Sequence, residues 1–422
     1  MLHIHRAERA DALIEALGRL LAEALADPFA PDVIAVPTRG MERWLTQRMS
    51  ASLGATAGRA DGICANVEFP FPRRLAGDAV AAASGIDPEE DPWLPQRAVW
   101  PLLEVVGECL SEPWLHSLAA HLGPEGDADR RARRFATVRH LAELFDRYAL
   151  HRPAMVCGWA RGEVDVAAEA EWQAELWRRL RGRLAEPSPA ERLEPACARL
   201  REEPSLLDLP ERISLFGLTR LPTGHLDVLR ALAAGREVHA FLLHPSPALW
   251  EALDGTAPVV RRAGDSTAAI PGNRLLASWG QDAREMQLVL GPHEHVGHHH
   301  PVDPGPDTLL SRIQADVRAD RSPPGDPLPD VPDARPRLDP ADRSVQIHAC
   351  HGRARQVEVL RDAILHLLEE DDTLQPRDVI VMCPDIETFA PLIQATFGTG
   401  DMVEDDDPLP EALRPTDLRV RL

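Results

Sequence analysis

The sequence predicts an α/β chain with two parallel-sheet domains, the first carrying a helical insertion and the second incomplete. Two distant stretches, residues 2–49 and 345–397, read as the same β-α-β-α unit, and the block between them turns helical before strands return. Each unit opens on a short strand ending in His, Leu2-His3-Ile4-His5 and Val345-Gln346-Ile347-His348. An amphipathic helix follows, with Leu13, Ile14, Leu17, Leu20 and Leu21 in one and Val357, Leu360, Ile364, Leu367 and Leu368 in the other at helical spacing. An acidic, Pro-containing connection leads to an apolar strand, Val33-Ile34-Ala35-Val36 or Val379-Ile380-Val381-Met382. A second helix then places Met41, Trp44, Leu45 and Met49 where its counterpart has Phe389, Leu392, Ile393 and Phe397. Two such openings predict two sheets, each covered by its own helices.

In chain order, residues 1–90 form the first part of the first α/β domain. Residues 91–204 are an inserted helical subdomain, with helical periods over 94–110, 131–150 and 167–184 and no convincing strand. Residues 205–320 complete the first domain through strands at Ile213 to Phe216 and Val238 to Leu243, a helix around Asn273 to Leu290, a loop, and a segment from Asp307 to Asp320. Residues 321–341 are crowded with Pro and Asp, have no apolar period and read as an extended linker. Residues 342–422 begin the second domain; the acidic run Glu404 to Asp407 leads to Arg419-Val420-Arg421-Leu422, a strand beginning, so the expectation is a piece of a longer protein.

Motor-type helicases are the prominent group that duplicates such a domain, which makes nucleotide chemistry the next question. A phosphate-binding loop needs a Gly-rich turn after the first strand and a Lys reaching the terminal phosphates. The turn here is His5-Arg6-Ala7-Glu8-Arg9, without Gly, and the chain has no Lys at all. Codon bias alone removes Lys, so the missing glycines weigh more; Arg, a planar fork, does not replace a compact ammonium in a phosphate cradle. The second unit, His348-Ala349-Cys350-His351-Gly352-Arg353, has one Gly, and the strand Ile213-Ser214-Leu215-Phe216 runs into Gly217-Leu218-Thr219 with no carboxylate pair for Mg²⁺. The expectation is a helicase-like fold with its ATPase motifs lost; the alternative is a degenerate but active nucleotide hydrolase.

At 422 residues the chain holds two or three domains. With no long apolar run and no basic-then-apolar leader, a cytoplasmic protein is expected. Six scattered cysteines without CxxC spacing point to reduced thiols. A net charge of −21 argues against polyanion binding in general. Yet Arg clusters at Arg130, Arg131, Arg133 and Arg134 and at Arg178, Arg179, Arg181 and Arg183; these are either solvated faces offset by nearby acids or a few cations concentrated inside an acidic shell.

Over essentially its whole length the chain resembles the RecC family, the gamma chain of exodeoxyribonuclease V. The stretches that carry the resemblance are Asp27-Pro28-Phe29, Gly40-Met41 with Trp44-Leu45, Phe69-Pro70-Phe71-Pro72, Leu144 to Tyr148 with Arg152-Pro153, and Trp172-Gln173 with Leu176-Trp177. Leu275 to Gly280, Asp307 to Gln314, Glu358-Val359-Leu360, Pro376-Arg377-Asp378 and Phe397-Gly398 continue it in order. The resemblance implies a non-catalytic, helicase-like subunit that works beside RecB-like and RecD-like motors in a heterotrimer. ATP and Mg²⁺ would sit on those partners, with no cofactor in this chain. It also implies handling of DNA duplex ends, guidance of unwound single strands and reading of the Chi signal, with no membrane contact.

The implied DNA-binding residues are Thr38, Arg39, Arg43, Phe71, Leu144, Asp146, Arg147, Arg152 and Arg192. The loop Pro37 to Arg43 follows the second strand at its carboxyl end, where such folds grip ligands. The family uses side-chain amides there; this chain has Pro37, Arg39 and Arg43, and Arg bonds guanine edges or phosphate instead, which separates DNA contact from Chi-type specificity. Phe71 fits either a base-stacking position or a buried one between prolines. Arg147 replaces an amide, and Asp146 either serves the strand channel or pairs with Arg152 on its helix. Of the other constellations, His293, Glu294, His295 and His298 to His300 are residue types that ligate Zn²⁺ or Ni²⁺, but a Gly- and Pro-flanked loop without Cys favours a solvated loop. Asp405 to Asp407 read as an exposed acidic loop. A third function class is a pure docking scaffold for partner subunits.

Overall fold

Six strands form one wholly parallel sheet: β1 (Leu2–Ala7), β2 (Asp32–Ala35), β3 (Val67–Glu68), β4 (Arg212–Phe216), β5 (Glu237–Leu243) and β6 (Val296–His299), in the order β3-β2-β4-β5-β1-β6. This computed structural model describes residues 1–398 apart from 52, 57–58, 60, 124–129, 164–169, 257–261, 292, 304, 327–328 and 331, and of 130–132 and 263 the backbone alone. The register aligns Leu2 with Val238 and His3 with His239 on one side of β1, and Val33 with Ile213 between β2 and β4.

A parallel sheet is buried on both faces, so its strands need apolar residues at every position rather than at alternate ones. One face carries Leu2, Ile4, Val33, Ala35, Ile213, Leu215, Val238 and Ala240, covered by α3 (Pro72–Ala83), α9 (Pro189–Glu202) and α10 (Thr223–Leu232). The other carries Ile34, Phe216 and Phe241, covered by Leu13, Ile14 and Leu17 of α1 (Ala10–Leu21) and Leu45 and Met49 of α2 (Arg39–Met49). Thr38 caps α2 by accepting from the Met41 N–H at 3.1 Å. Gly217 ends β4 at φ +73°, with the Met41 Cε 2.8 Å from where a Cβ would stand, so the turn admits Gly alone and draws α2 close over the strand end.

Between β3 and β4 lie α4 (Pro95–Cys109), α5 (His116–Leu122), α6 (Arg130–His151), α7 (Pro153–Ala160), α8 (Glu171–Leu184) and α9, with no strand among the described residues. Their core stacks Trp93 on Trp177, with Trp159 edge-on to both Trp177 and Tyr148. The Tyr148 hydroxyl donates to Gln173 at 2.9 Å, which satisfies its polar end. After β5 come α11 (Pro247–Ala252), α12 (Arg274–Trp279), α13 (Gln281–Leu290) and α14 (Leu309–Arg318). The single helix expected over Asn273 to Leu290 is broken at Gly280, so α12 and α13 are separate.

The chain divides into two compact units, Met1–Asp307 with Ser311–Arg337, and Thr308–Leu310 with the residues from Leu338 onward. In the second, α15 (Arg353–Glu370) and α16 (Ile386–Phe397) pack through Val357, Ile364, Ile393 and Phe397, residues of the expected apolar stripes. The expected strands at 345–348 and 379–382 are not formed, and Ile347 and Ile380 are 94% and 84% exposed. A parallel strand satisfies its backbone only through neighbouring strands, and none stands beside these two among the described residues. The expectation of a second sheet is therefore corrected to a helix pair. Glu404 to Asp407 and Arg419 to Leu422 lie outside the described residues.

A further correction concerns the His-rich stretch, which is not a free loop. Val296 to His299 form β6 and pair in parallel with β1, aligning His298 with His5. Poor strand formers adopt β structure here because the open edge of β1 offers a ladder of hydrogen bonds. All six cysteines are unpaired, and burial pushes the Cys197 thiol up to about 11. Among the described residues no helix is long and apolar enough to cross a membrane.

Arg212 ties the start of the sheet together. Its guanidinium donates to the Leu20 and Glu23 carbonyls at 2.8 and 2.9 Å, and to Asp32 at 2.7 Å. It thus neutralises the negative end of α1 while joining β4 to β2. Arg212→Ala, which leaves Asp32 and two carbonyls unpaired, is expected to cost about 3 kcal/mol. Urea unfolding followed by Trp fluorescence should show the midpoint fall, with Arg212→Ala/Asp32→Ala costing less than the two single changes added.

A candidate nucleic-acid cleft

The structure opens a cleft of about 1400 Å³ where the carboxyl ends of β2, β3 and β4 meet the helical insertion. Pro37 follows β2, Phe71 follows β3, and Leu218 to Pro222 follow β4; α3, α6, α9 and α10 supply the walls. Carboxyl ends of parallel strands leave loops free of the sheet ladder, which is why ligands gather there. The Val36 N–H donates to the Pro70 carbonyl at 3.0 Å, holding the two exit loops side by side.

Three of the sequence-derived residues line this cleft: Phe71, Asp146 and Arg192. Phe71 stands at the start of α3 and is 41% exposed, so the base-stacking alternative has an open ring face available to it. Asp146 pairs with Arg73 rather than with Arg152. Burial raises the Asp146 carboxyl above its usual range even though Arg73 pulls it down. Arg192, 5% exposed, is held in a buried ion pair with Asp91, with Nε and Nη1 unbonded. Its guanidinium joins α9 to the segment ahead of α4, so a strand reaches it only by displacing that pair.

The remaining residues stand elsewhere. Arg39 and Arg43 are exposed on one face of α2, four residues apart; Arg39 approaches Glu42 at 3.7 Å and Arg43 makes no ion pair among the described residues. Thr38 is spent on the α2 cap. Leu144 packs against the helical core, a structural position. Arg147 is exposed and donates to the Glu143 carbonyl at 3.4 Å, while Arg152 is exposed at the α6–α7 junction. The second Arg cluster fits the offset-face reading: Arg178 and Arg179 pair with Glu175, Arg181 with Glu191, and Arg183 with Glu104 and Glu108. In the first, Arg134 donates to the Leu103 carbonyl at 2.8 Å and Arg133 to that of Leu122 at 3.2 Å. The side chains of Arg130 and Arg131 lie outside the described residues.

Sequence reasoning stopped one residue short of two cleft cations, Arg73 and Arg74. Both sit in the first turn of α3, beside the positive end of the helix, where Arg is electrostatically unfavourable. A pair of Arg in that position, straight after Phe71-Pro72, was the legible signal. Arg220 lines the same cleft and pairs with Asp282 and Glu285 at 2.9 and 3.0 Å. Acids match the cations here, with Asp78, Asp87, Glu89, Asp91 and Asp146 among the lining residues. Side chains able to hold a metal lie apart from the cleft, at His3, Glu237 and His239.

His225 of α10 faces the cleft, and burial, then Arg73, then His151 push its imidazole down to about 4. His244 is pushed to about 4 by burial and Arg6. Both are neutral in the fold, so below about pH 6.5 the unfolded chain binds protons that the folded one refuses. Stability should be full above that pH and fall toward pH 4 at about 1.4 kcal/mol per pH unit for each group. Thermal melts from pH 7.5 to 5 should show this slope, and His225→Asn should flatten it by one such increment; an unchanged slope would contradict the burial of His225.

Comparison with known proteins agrees with this architecture. The RecC N-terminal domain family matches residues 2–320. The chain is 43% identical to "RecBCD enzyme subunit RecC" of Mycobacterium tuberculosis over 100% of its own length and 37% of the relative's. It is 43% identical to that of Mycolicibacterium smegmatis (95% and 35%) and 32% identical to that of Escherichia coli (100% and 40%). The chain thus spans well under half the length of these relatives. A family match over most of the chain, on a sheet that the matched region alone completes, leads to one conclusion: the chain belongs to the RecC family.

Proposed function

We propose that this chain is the DNA-handling region of a non-catalytic, helicase-like subunit in a RecBCD-type helicase–nuclease that processes double-strand ends for recombinational repair. In this reading it guides unwound single strands and reads a Chi-like signal while RecB-like and RecD-like partners supply the motors, with ATP and Mg²⁺ bound there. The observation that carries it is the cleft at the strand carboxyl ends, which joins an exposed aromatic, Phe71, to the partly exposed guanidinium groups of Arg73, Arg74 and Arg220. Aromatic faces and cations are what a single strand needs, since each base offers a π-face and each link a phosphate. Arg39 and Arg43 extend the basic surface along α2, which begins just after Pro37 of the cleft wall.

The end of β1, which runs to Ala7 rather than stopping at His5, and the short turn after it support the view that the engine is missing. Arg6 lies over the Trp250 ring at 4.5 Å, Glu8 accepts from His299 at 2.7 Å, and Arg9 pairs with Asp11. Side chains engaged with one another, and a turn without Gly, present no row of backbone N–H groups to a phosphate.

Fluorescence anisotropy with a labelled single-stranded oligonucleotide tests the reading. Binding should weaken with salt, and Arg39→Ala/Arg43→Ala should lower the slope of log K against log salt by about 1.4, the share of two phosphate contacts. Phe71→Ala should cost about 1–3 kcal/mol with little change in that slope. Salt-independent binding, or an unaltered slope in the double variant, would remove α2 from the interface; Mg²⁺-dependent ATP hydrolysis by the chain alone would favour the hydrolase.

A further inference from the structure

Five imidazoles from strands far apart in sequence converge on the α1-covered face of the sheet, toward its β6 edge. His3 and His5 alternate on β1, His239 lies on β5, and His298 and His300 belong to β6 and the residue after it. Their rings stack: His3 on His239 at 4.5 Å, His5 on His298 at 4.5 Å and His5 on His300 at 5.3 Å between centroids. Their nitrogens form two chains. His3 Nε2 meets Glu237 Oε2 at 2.6 Å and its Nδ1 meets His298 Nε2 at 3.1 Å. His5 Nε2 meets His239 Nδ1 at 3.1 Å and its Nδ1 meets His300 Nε2 at 3.0 Å.

We propose that His3, Glu237 and His239 form a binding site for a borderline transition-metal cation, of which Zn²⁺ is the type, fastening β1 to β5 at the amino-terminal end of the sheet. Their ligand atoms lie within 4.8 Å of one another. A tetrahedral centre with bonds of about 2.0–2.1 Å needs its ligands a little over 3 Å apart, so the site forms by a small movement that draws Glu237 Oε2 back from its 2.6 Å contact with His3 Nε2. Glu237 is exposed and free to make it, and the half-buried His3 ring tips out of its stack on the buried His239 so that both Nε2 lone pairs reach the ion. Two imidazoles and one carboxylate without a thiolate suit Zn²⁺ and its neighbours rather than Mg²⁺ or Ca²⁺.

The two nitrogen chains are what such a site requires behind its ligands. A metal-bound imidazole normally donates its other N–H to an acceptor that fixes its tautomer and orientation. With the ion on Nε2 of His3 and His239, each ring holds its proton on Nδ1. His3 then donates to His298 Nε2, and His239 donates to His5 Nε2, which leaves the His5 proton on Nδ1 to donate to His300. One tautomer, with the proton on Nδ1, satisfies each His–His hydrogen bond in both chains. The Met1 ammonium, 3.8 Å from Glu237 Oε1, occupies the other carboxylate oxygen and leaves Oε2 for the ion. The site lies on the opposite face of the sheet from α3, α9 and α10, which wall the cleft, so it clasps the scaffold without entering the proposed strand path.

The test uses the whole untagged chain, stripped with a chelator and titrated with Zn²⁺ against a chromophoric competitor. One equivalent should bind with sub-micromolar affinity, and Co²⁺ should give the visible absorption of a tetrahedral centre. Glu237→Gln should weaken binding at least tenfold, and His3→Gln/Glu237→Gln should abolish it together with the cobalt bands, while circular dichroism of the metal-free variant stays that of the parent. His298→Gln, acting through His3, should weaken binding about tenfold. His293→Gln/His295→Gln, outside the cluster, should leave it unchanged. Binding that survives in His3→Gln/Glu237→Gln, that depends on His293 and His295, or that is weaker than micromolar in the parent would overturn the proposal.

Discussion

The pairing of β2 with β4 is the constraint on which the rest of this architecture depends. Asp32 and Arg212, 180 positions apart in the chain, open neighbouring parallel strands and are joined by an ion pair. A parallel neighbour cannot be reached by a tight turn, so the chain must leave the carboxyl end of β2 and return to the amino end of β4. It does so through β3, α3 and the whole helical block, with α9 contributing Ala196, Cys197 and Leu200 to the sheet core and Ala190 to the helical one. The helices are therefore anchored at their return point and stand over the strand ends at their departure. The cleft is the space this geometry leaves, and Phe71, Arg73 and Arg74 line it because they sit on the way out.

That placement bears on how an acidic chain would hold a polyanion. With a net charge of −21, long-range attraction is not available, and cations matter only where they are concentrated. Cleft arginines are already matched by carboxylates, so on the proposed reading a phosphate competes with an internal anion for each of them. Arg73 and Asp146 show how the exchange can be cheap. The carboxylate is partly desolvated, which raises its pKa, and Arg73 is the largest influence pulling it back down. A phosphate that captures Arg73 removes that downward pull, so the Asp146 carboxyl rises further and its charge is less costly to leave beside the strand.

The sequence was most legible where periodicity alone decides structure. The stripes of α1 and α2, the runs of β2, β4 and β5, and the helical insertion are all read from spacing, because burial on a sheet or against a helix imposes a period. The α15 and α16 stripes were legible for the same reason. Their accompanying strands were not, since an apolar run of four is a strand only if a neighbour completes its hydrogen bonds, and the sequence does not say where that neighbour is. Val296 to His299 fail in the opposite sense: a composition that reads as loop becomes a strand because β1 has a free edge. In the cleft, the resemblance located Phe71 and Asp146, but the partner of Asp146 came from α3 and not from its own helix. Arg192 shows the same limit, since only the fold reveals that Asp91 lies against it.

On the proposed reading, a motor-type fold without nucleotide chemistry has no need of an open, Gly-rich turn after its first strand, and here the end of β1 and the turn after it are occupied by side-chain contacts. Arg6 stacks on Trp250, Glu8 reaches His299, and Arg9 turns back to Asp11. Two of these contacts bind the end of β1 and its turn to segments that arrive more than two hundred residues later, so they fasten the edge strand and α11. Beneath the turn, His3 and His5 engage the same late segments through their rings. Side chains that would crowd a bound phosphate instead close the sheet on its β6 side, while the carboxyl ends of β2, β3 and β4 stay open for a strand. On the proposed reading, the carboxyl end of the sheet is filled at β1 and left open at β2, β3 and β4, where a strand would lie.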